Sequence, residues 1–334
     1  MTPHTSLLAP HLQCFFAEYL LKQKRASPET VASYRDTFRL FLNFLKQTAG
    51  IEPSALHVSD IDSPVVIGFL DSLEKQRRNS VRSRNIRLSA IRSFFRLISL
   101  RDAESVAIAQ RVLAIPVKRQ DKKLIGYLTR PELDALLAAP DRSQWRGRRD
   151  HALLLTMYNS GARVSEIIAL AQDQVCFGSS TFLHLKGKGR KERSIPLWPH
   201  TAQVLKSWFH ELQQKGGGPL AFPNARGACL SRDGVDYLLR KAVQNAALNC
   251  FSLNNKRVSC HVIRHSTAMH LLQAGVDIAV IALWLGHESI QTTHMYVEAD
   301  LATKERALQK VAPVQGKFAR FKADDALLQF LNSL

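Results

Sequence analysis

Acid is scarce in this chain. Its 28 Asp and Glu face 46 Lys and Arg, a formal net charge of +18 over 334 residues. A chain so basic repels itself unless a polyanion offsets the charge, which makes nucleic acid the leading partner and an anionic membrane surface the second. Long apolar runs are lacking as well. None approaches the roughly 20 residues that a helical span needs, so no membrane partner is expected. The opening MTPHTSLLAPHLQ has no basic segment followed by an apolar core, so no secretory signal is expected. Cysteine is sparse and unpatterned. Cys14, Cys176, Cys229, Cys250 and Cys260 are odd in number and form no CxxC. That speaks against a disulfide framework and for free thiols in a reducing cytoplasm. No internal repeat or low-complexity segment stands out.

What is present suits a globular protein: 46% of residues are hydrophobic and 22% charged, and the length fits two domains. Residues 1–105 read as helices. HLQCFFAEYLLKQKR carries an apolar stripe at Leu12, Phe15, Phe16, Tyr19 and Leu20. Ser27 with Pro28 marks a helix start, and Asp60 or Asp62 another. A fourth helix is expected from about Ser80, with Leu88, Ile91, Phe95 and Ile98 on one side. The basic residues cluster here. Lys75 to Arg96 holds eight Lys and Arg and no acid, whereas a solvated helix face normally mixes signs. Four short helices with this flank predict an all-helical DNA-binding domain. Arg77, Arg78, Arg82, Arg84, Arg87 and Arg92 are its expected phosphate contacts.

The helical pattern weakens over 106–126, where VKRQDKKLIG reads as a linker. A second domain is expected over 127–310. Thr129 with Pro131 starts a helix, and Ser160-Gly161 interrupts the next long apolar one. TFLHLKGKGRKERSIPL changes period: two extended runs flank Gly187-Lys188-Gly189, which predicts a β-hairpin. Lys186, Arg190 and Lys191 beside its tip are further candidate DNA contacts.

The densest chemistry lies between Ser259 and Tyr296, which holds five of the twelve histidines. His261 and Arg264 share a face in the first turn of a helix, where free N–H groups favour an anion. Gly275 and Gly286 end successive helices, Asp277 and Ser289 start them, and His287 falls in a turn. An arginine, two histidines and a tyrosine can thus converge as a phosphodiester requires: cationic donors, a proton-transfer group and a nucleophile. Zinc is the rival reading. His261 and His265 have i, i+4 spacing, but Val262 stands where HExxH needs glutamate, so no metal and no cofactor are expected. His265, His270 and His294 are assigned to packing or surface roles.

GARVSEIIAL (161–170), LKGKGRKERSIPL (185–197), HVIRH (261–265), LGH (285–287) and TTHMY (292–296) resemble, in order, the motifs of the tyrosine recombinase (phage integrase) family, nearest to its Xer-type and mobile-element members. The match is strong over about 130–300 and looser before it. The resemblance implies a mainly α fold with a small β-hairpin or sheet: a helical core-binding domain and a catalytic domain forming a C-shaped clamp on DNA. It implies that Arg163 and Arg264 clamp the scissile phosphate, that Glu166 orients Arg163, and that His287 donates to the phosphate or positions Tyr296. Lys188 would be the general acid, with Lys186 and Lys191 as alternatives; His261 would assist proton transfer. Tyr296 would attack and hold the 3′ phosphate, without metal or ATP. Four protomers would pair two duplex DNA sites through a Holliday junction in the bacterial cytoplasm, on the nucleoid, with recombinases encoded nearby as further partners. Integration, excision or transposition of a mobile element is the expected role, and Xer-type chromosome-dimer resolution the alternative. A type IB topoisomerase and a non-catalytic DNA-binding accessory protein are the rivals outside it. The tail, 311–334, ends in DDALLQFLNSL, a helix too short to stand alone in water. It would fold back onto its own domain or, by the resemblance, dock on the neighbouring protomer.

Overall fold

The computed structural model describes residues 6–120, 125–187 and 192–299. Chain contacts part at 123/124 into two compact units. Lys188, Arg190, Lys191 and the tail 311–334 lie outside the described residues.

The first unit is helical. Helix α1 (Leu8–Cys14) runs into a π-helical stretch, Phe15–Gln23. Helix α2 (Pro28–Ala49) starts at Ser27, whose side chain accepts from the Thr30 amide. Helices α3 (Ser63–Lys75) and α4 (Val81–Arg101) are capped by Asp62 and Ser80. These starts match the sequence reading, because each has a short oxygen-bearing side chain where the first amides need an acceptor. Phe15, Phe38 and Phe94 meet edge to face in the core, with ring centroids 5.4–5.9 Å apart.

Two expectations need correction. The helices are not all short, since α2 has 22 residues and α4 has 21. The linker also begins later than 106. Helix α5 (Val106–Leu113) buries Ala109 and Val112 in the first unit's core, and Ile115 joins them.

The basic run divides. Arg77, Arg78 and Arg82 are exposed. Arg84, an expected phosphate contact, is instead buried at 4% exposure, with Nε 3.6 Å from Glu74. Arg87 donates to the Ser33 carbonyl at 3.1 Å and to Thr37 Oγ1 at 3.0 Å, tying α4 to α2. Arg92 is half-buried. Helical phase explains the split: a 21-residue helix packed on three others turns some arginines inward, and their stems cover the core.

In the second unit, α6 (Arg130–Ala138) opens with a capping box, Thr129 and Glu132. Helix α7 (Trp145–Ser160) is almost wholly buried and ends at Gly161. A single short turn of helix, α8 (Val164–Ile168), follows. The expected hairpin is present as β2 (Phe182–Lys186) antiparallel to β3 (Glu192–Pro196), with Leu183 opposite Ile195. A two-residue strand, β1 (Val175–Cys176), adds to β2, so the sheet has the order β1-β2-β3. Helices α9 (Pro199–Gln214) and α10 (Arg232–Ala247) complete the main core. Helices α11 (Cys260–Gln273), α12 (Ile278–Leu285) and α13 (Gln291–Ala299) form a smaller one. Among the described residues no helix is long and apolar enough to cross a membrane.

Burial separates the arginines by role. Arg84→Ala should cost about 2 kcal/mol, because it removes a buried stem and one partner of Glu74, while Glu74 keeps Lys118 at 2.6 Å. Arg82→Ala should leave stability nearly unchanged. Urea melts of the full chain compare the two; equal midpoints would contradict the division.

Candidate active site

The site is assembled from chain reversals. Helix α7 must stop at residue 161, where φ is +59° and a Cβ would lie 2.5 Å from Leu285 Cδ2. Only glycine meets both conditions. The freed Gly161 carbonyl accepts from Arg264 Nη1 at 2.6 Å, and the Leu285 carbonyl accepts from Nη2 at 2.7 Å. Arg264 is 5% exposed. Two helix C-termini, carrying partial negative charge, thus hold one buried guanidinium.

Arg163 is the N-cap of α8, and its amide donates to Glu166 Oε2 at 2.8 Å. Its guanidinium donates to Glu166 Oε1 at 3.1 Å and to the Gly286 carbonyl at 3.3 Å. From β3, Arg193 grips the same carboxylate with both Nη atoms, at 3.0 and 2.8 Å, and its Nε donates to the Trp284 carbonyl at 3.0 Å. The Glu166 side chain is 4% exposed and that of Arg163 34%, so the carboxylate is sealed in while Arg163 reaches solvent. Burial pushes the Glu166 carboxyl up, but hydrogen bonds from Arg193 and the Arg163 amide, with both guanidinium charges, outweigh it and the net shift is downward. A cleft of ≈ 450 Å³ opens on Arg163, Arg193, Gly286, His287 and Thr292.

His287 follows the left-handed Gly286 and bonds through Nδ1 to Thr293 Oγ1 at 2.8 Å. Its ring lies parallel to that of Tyr296, with centroids 6.4 Å apart. Tyr296, on α13, is 1% exposed, and its hydroxyl bonds to His265 Nδ1 at 3.0 Å. Burial raises the phenol, partly offset by the charge of Arg264. Burial also pulls Arg264 down to about 10, with Arg163 adding like charge. His287 falls to about 4, by burial and then by Arg264 and Arg163. His265 falls to about 4 as well, by burial and then by His261 and Arg264.

Arg163, Glu166, Arg264, His287 and Tyr296 therefore come together. His261 is exposed in the first turn of α11, its ring 6.4 Å from that of His265. Lys186 is exposed at the end of β2. His270 bonds to the Tyr158 hydroxyl at 2.9 Å, and His294 is exposed. The sequence reading gives His265 a packing or surface role, but it meets Tyr296. The sequence reading does not single out Arg193. Both left a signal in phase. His265 shares a helix face with Ala268 and Leu272, and Arg193 shares a strand face with Ile195. No three His, Cys, Asp or Glu are grouped as metal ligands among the described residues.

Residues 126–302 match the phage integrase family, and 15–101 match its N-terminal SAM-like domain. The chain belongs to the phage integrase family. It is a tyrosine recombinase, and the enzymes of this family cleave and rejoin DNA. A protein of Sinorhizobium fredii, provisionally named integrase/recombinase y4rC, is 54% identical over 334 residues, all of both chains. Tyrosine recombinase XerC of Oceanobacillus iheyensis is 32% identical over 304 residues, 89% of this chain and 94% of that one. In fold, the recombinase is similar to the XerH site-specific recombinase solved on palindromic difH substrate after cleavage. That likeness has a TM-score of 0.70 at 21% identity, over 88% of this chain and 83% of that one.

The two depressed histidines set a pH window. Unfolded, each titrates near 6.5; folded, each titrates near 4. Between those values the unfolded chain binds more protons. Their stability is therefore complete above 6.5 and drains away as pH falls towards 4. The His265→Gln/His287→Gln double variant should lose stability less steeply across this window. Parallel stability–pH curves for variant and parent would contradict the assignment.

Proposed function

We propose that the chain is a site-specific recombinase of a mobile element, acting through Tyr296 as nucleophile. The observation that carries this reading is the convergence of Arg163, Arg264 and His287 beside Tyr296, on a carboxylate-braced frame. A scissile phosphate in the cleft receives the guanidinium groups of Arg163 and Arg264 on its non-bridging oxygens. His287 donates to the same phosphate. The Tyr296 hydroxyl passes its proton to His261 as its oxygen attacks phosphorus, a P–O bond to Tyr296 forms and the P–O5′ bond breaks. The leaving 5′ oxygen takes a proton from Lys188, with His261 assisting proton transfer. The 3′ phosphotyrosyl bond keeps the energy of the original diester, so a 5′ hydroxyl from the partner strand can reverse the step without ATP or metal. The charge that builds on phosphorus is met by fixed cations.

Exposed Arg77, Arg78 and Arg82 hold the duplex by its phosphates, and Lys186, Arg190 and Lys191 approach it from the hairpin. Four protomers join two sites through a Holliday junction, and the tail docks on the neighbouring protomer. The full-length likeness to the y4rC integrase/recombinase favours a mobile-element role. Chromosome-dimer resolution is the second reading, favoured by the 32% identity to XerC across nearly all of both chains.

The direct test is a nicked DNA substrate that traps the covalent complex. The parent should form an adduct at residue 296 in excess EDTA. Tyr296→Phe should bind DNA with unchanged affinity and form none. An adduct with Tyr296→Phe would overturn the assignment.

A further inference from the structure

The hydroxyl of Tyr296 is tied down rather than free: it is bonded to His265 Nδ1 at 3.0 Å. The two rings cross at 60° with centroids 5.7 Å apart. His265 is the residue after Arg264 on α11, so the helix that holds the phosphate-clamping guanidinium also holds this imidazole. The phenol ring is sealed by Ala268, Met269, Leu272, Ile281 and Leu285. At 1% exposure, the oxygen meant to attack phosphorus lies among packed side chains.

We infer that His265 is a positioning residue that keeps Tyr296 in reserve, and that breaking this hydrogen bond precedes strand cleavage. The inference rests on Tyr296 as the nucleophile. In the Nε2–H tautomer the hydroxyl donates to Nδ1, which requires a neutral imidazole. Several features keep it neutral: burial, the nearby His261 ring and the Arg264 charge all disfavour its cation. The same burial keeps the proton on the phenol. An imidazole this reluctant to charge, facing a phenol this reluctant to ionise, is a poor proton acceptor for the attack and a good anchor for the resting hydroxyl. Leaving that anchor strips a buried donor of its acceptor, so release must be driven by something that rewards it. Phosphate entering the cleft supplies that reward, because it offers the hydroxyl a new environment among Arg163, Arg264 and His287. The bond to His265 thus sets a threshold against cleavage before the DNA is seated.

Side-chain geometry allows a test that separates this role from structural support. The carboxamide of asparagine places an oxygen near the position of Nδ1. Glutamine places it near Nε2, and leucine has no acceptor. His265→Leu and His265→Gln should form the covalent adduct on isolated single sites about five-fold faster than the parent, the worth of one buried hydrogen bond. His265→Asn should stay close to the parent. Independently of catalysis, tetranitromethane should nitrate Tyr296 faster in the DNA-free Leu and Gln variants than in the parent or His265→Asn, read by mass spectrometry of the peptide. If the Leu and Gln variants, folded and DNA-binding, cleave no faster than the parent and leave nitration unchanged, the inference is overturned. If nitration rises while no protein forms an adduct at residue 296, the nucleophile assignment fails instead, and the anchoring contact stands.

Discussion

One carboxylate holds this site in shape. Glu166 accepts the amide and guanidinium of Arg163 and both terminal nitrogens of Arg193. Without that negative charge, Arg163, Arg193 and Arg264 would be like charges gathered in a partly desolvated cleft, and each would push the others apart. With it, one guanidinium, that of Arg163, is left free enough to meet a ligand, and the other, that of Arg193, is locked between Glu166 and the Trp284 carbonyl. A buried ion pair need not add net stability, since desolvation offsets much of the attraction. Its effect here is geometric: the carboxylate fixes where positive charge sits before any phosphate arrives, which is the condition for electrostatic catalysis.

The remaining frame follows from helix ends. Gly161 and Leu285 turn their carbonyls onto Arg264, and Gly286 turns its carbonyl onto Arg163. Three carbonyls at two helix C-termini thus act as acceptors for cations. The left-handed backbone at Gly161 and Gly286 is the local requirement that makes these termini possible. His287 is set by the same turn, one residue past Gly286. A change at either glycine would move the cationic frame without touching any group that meets DNA.

Helix starts and stops were legible in the sequence because caps are local chemistry: Ser27, Asp62, Ser80, Thr129 and Asp277 all announce a first turn. The β2–β3 hairpin was legible from its change of period. The apolar side of α4 was legible too, since Leu88, Ile91, Phe95 and Ile98 are all buried; what could not be read was how far round a helix the burial extends. Arg84 and Arg82 differ by two residues, yet one is buried and the other exposed, because packing against neighbouring helices decides the phase. Arg193 reads as one more basic residue in a basic hairpin, and only the fold brings Glu166 to it. Helix α5 was mistaken for linker, since eight residues flanked by a basic stretch carry too weak a period. His265 seemed ordinary because its partner lies 31 residues away in sequence. Long-range partners, unlike caps, have no local signature beyond the phase of the helix or strand that carries them.

The claim that a preset, carboxylate-braced cationic frame drives cleavage is tested most directly at Glu166. Glu166→Gln keeps the shape but removes the charge and one of the two accepting oxygens, so two of the four hydrogen bonds from Arg163 and Arg193 lose their acceptor. The decisive quantity is the single-turnover rate of covalent adduct formation on nicked DNA, measured beside DNA affinity. Loss of one preorganised electrostatic element predicts a fall of about 100-fold in that rate with affinity little changed. A folded Glu166→Gln protein that cleaves at the parental rate would contradict the account.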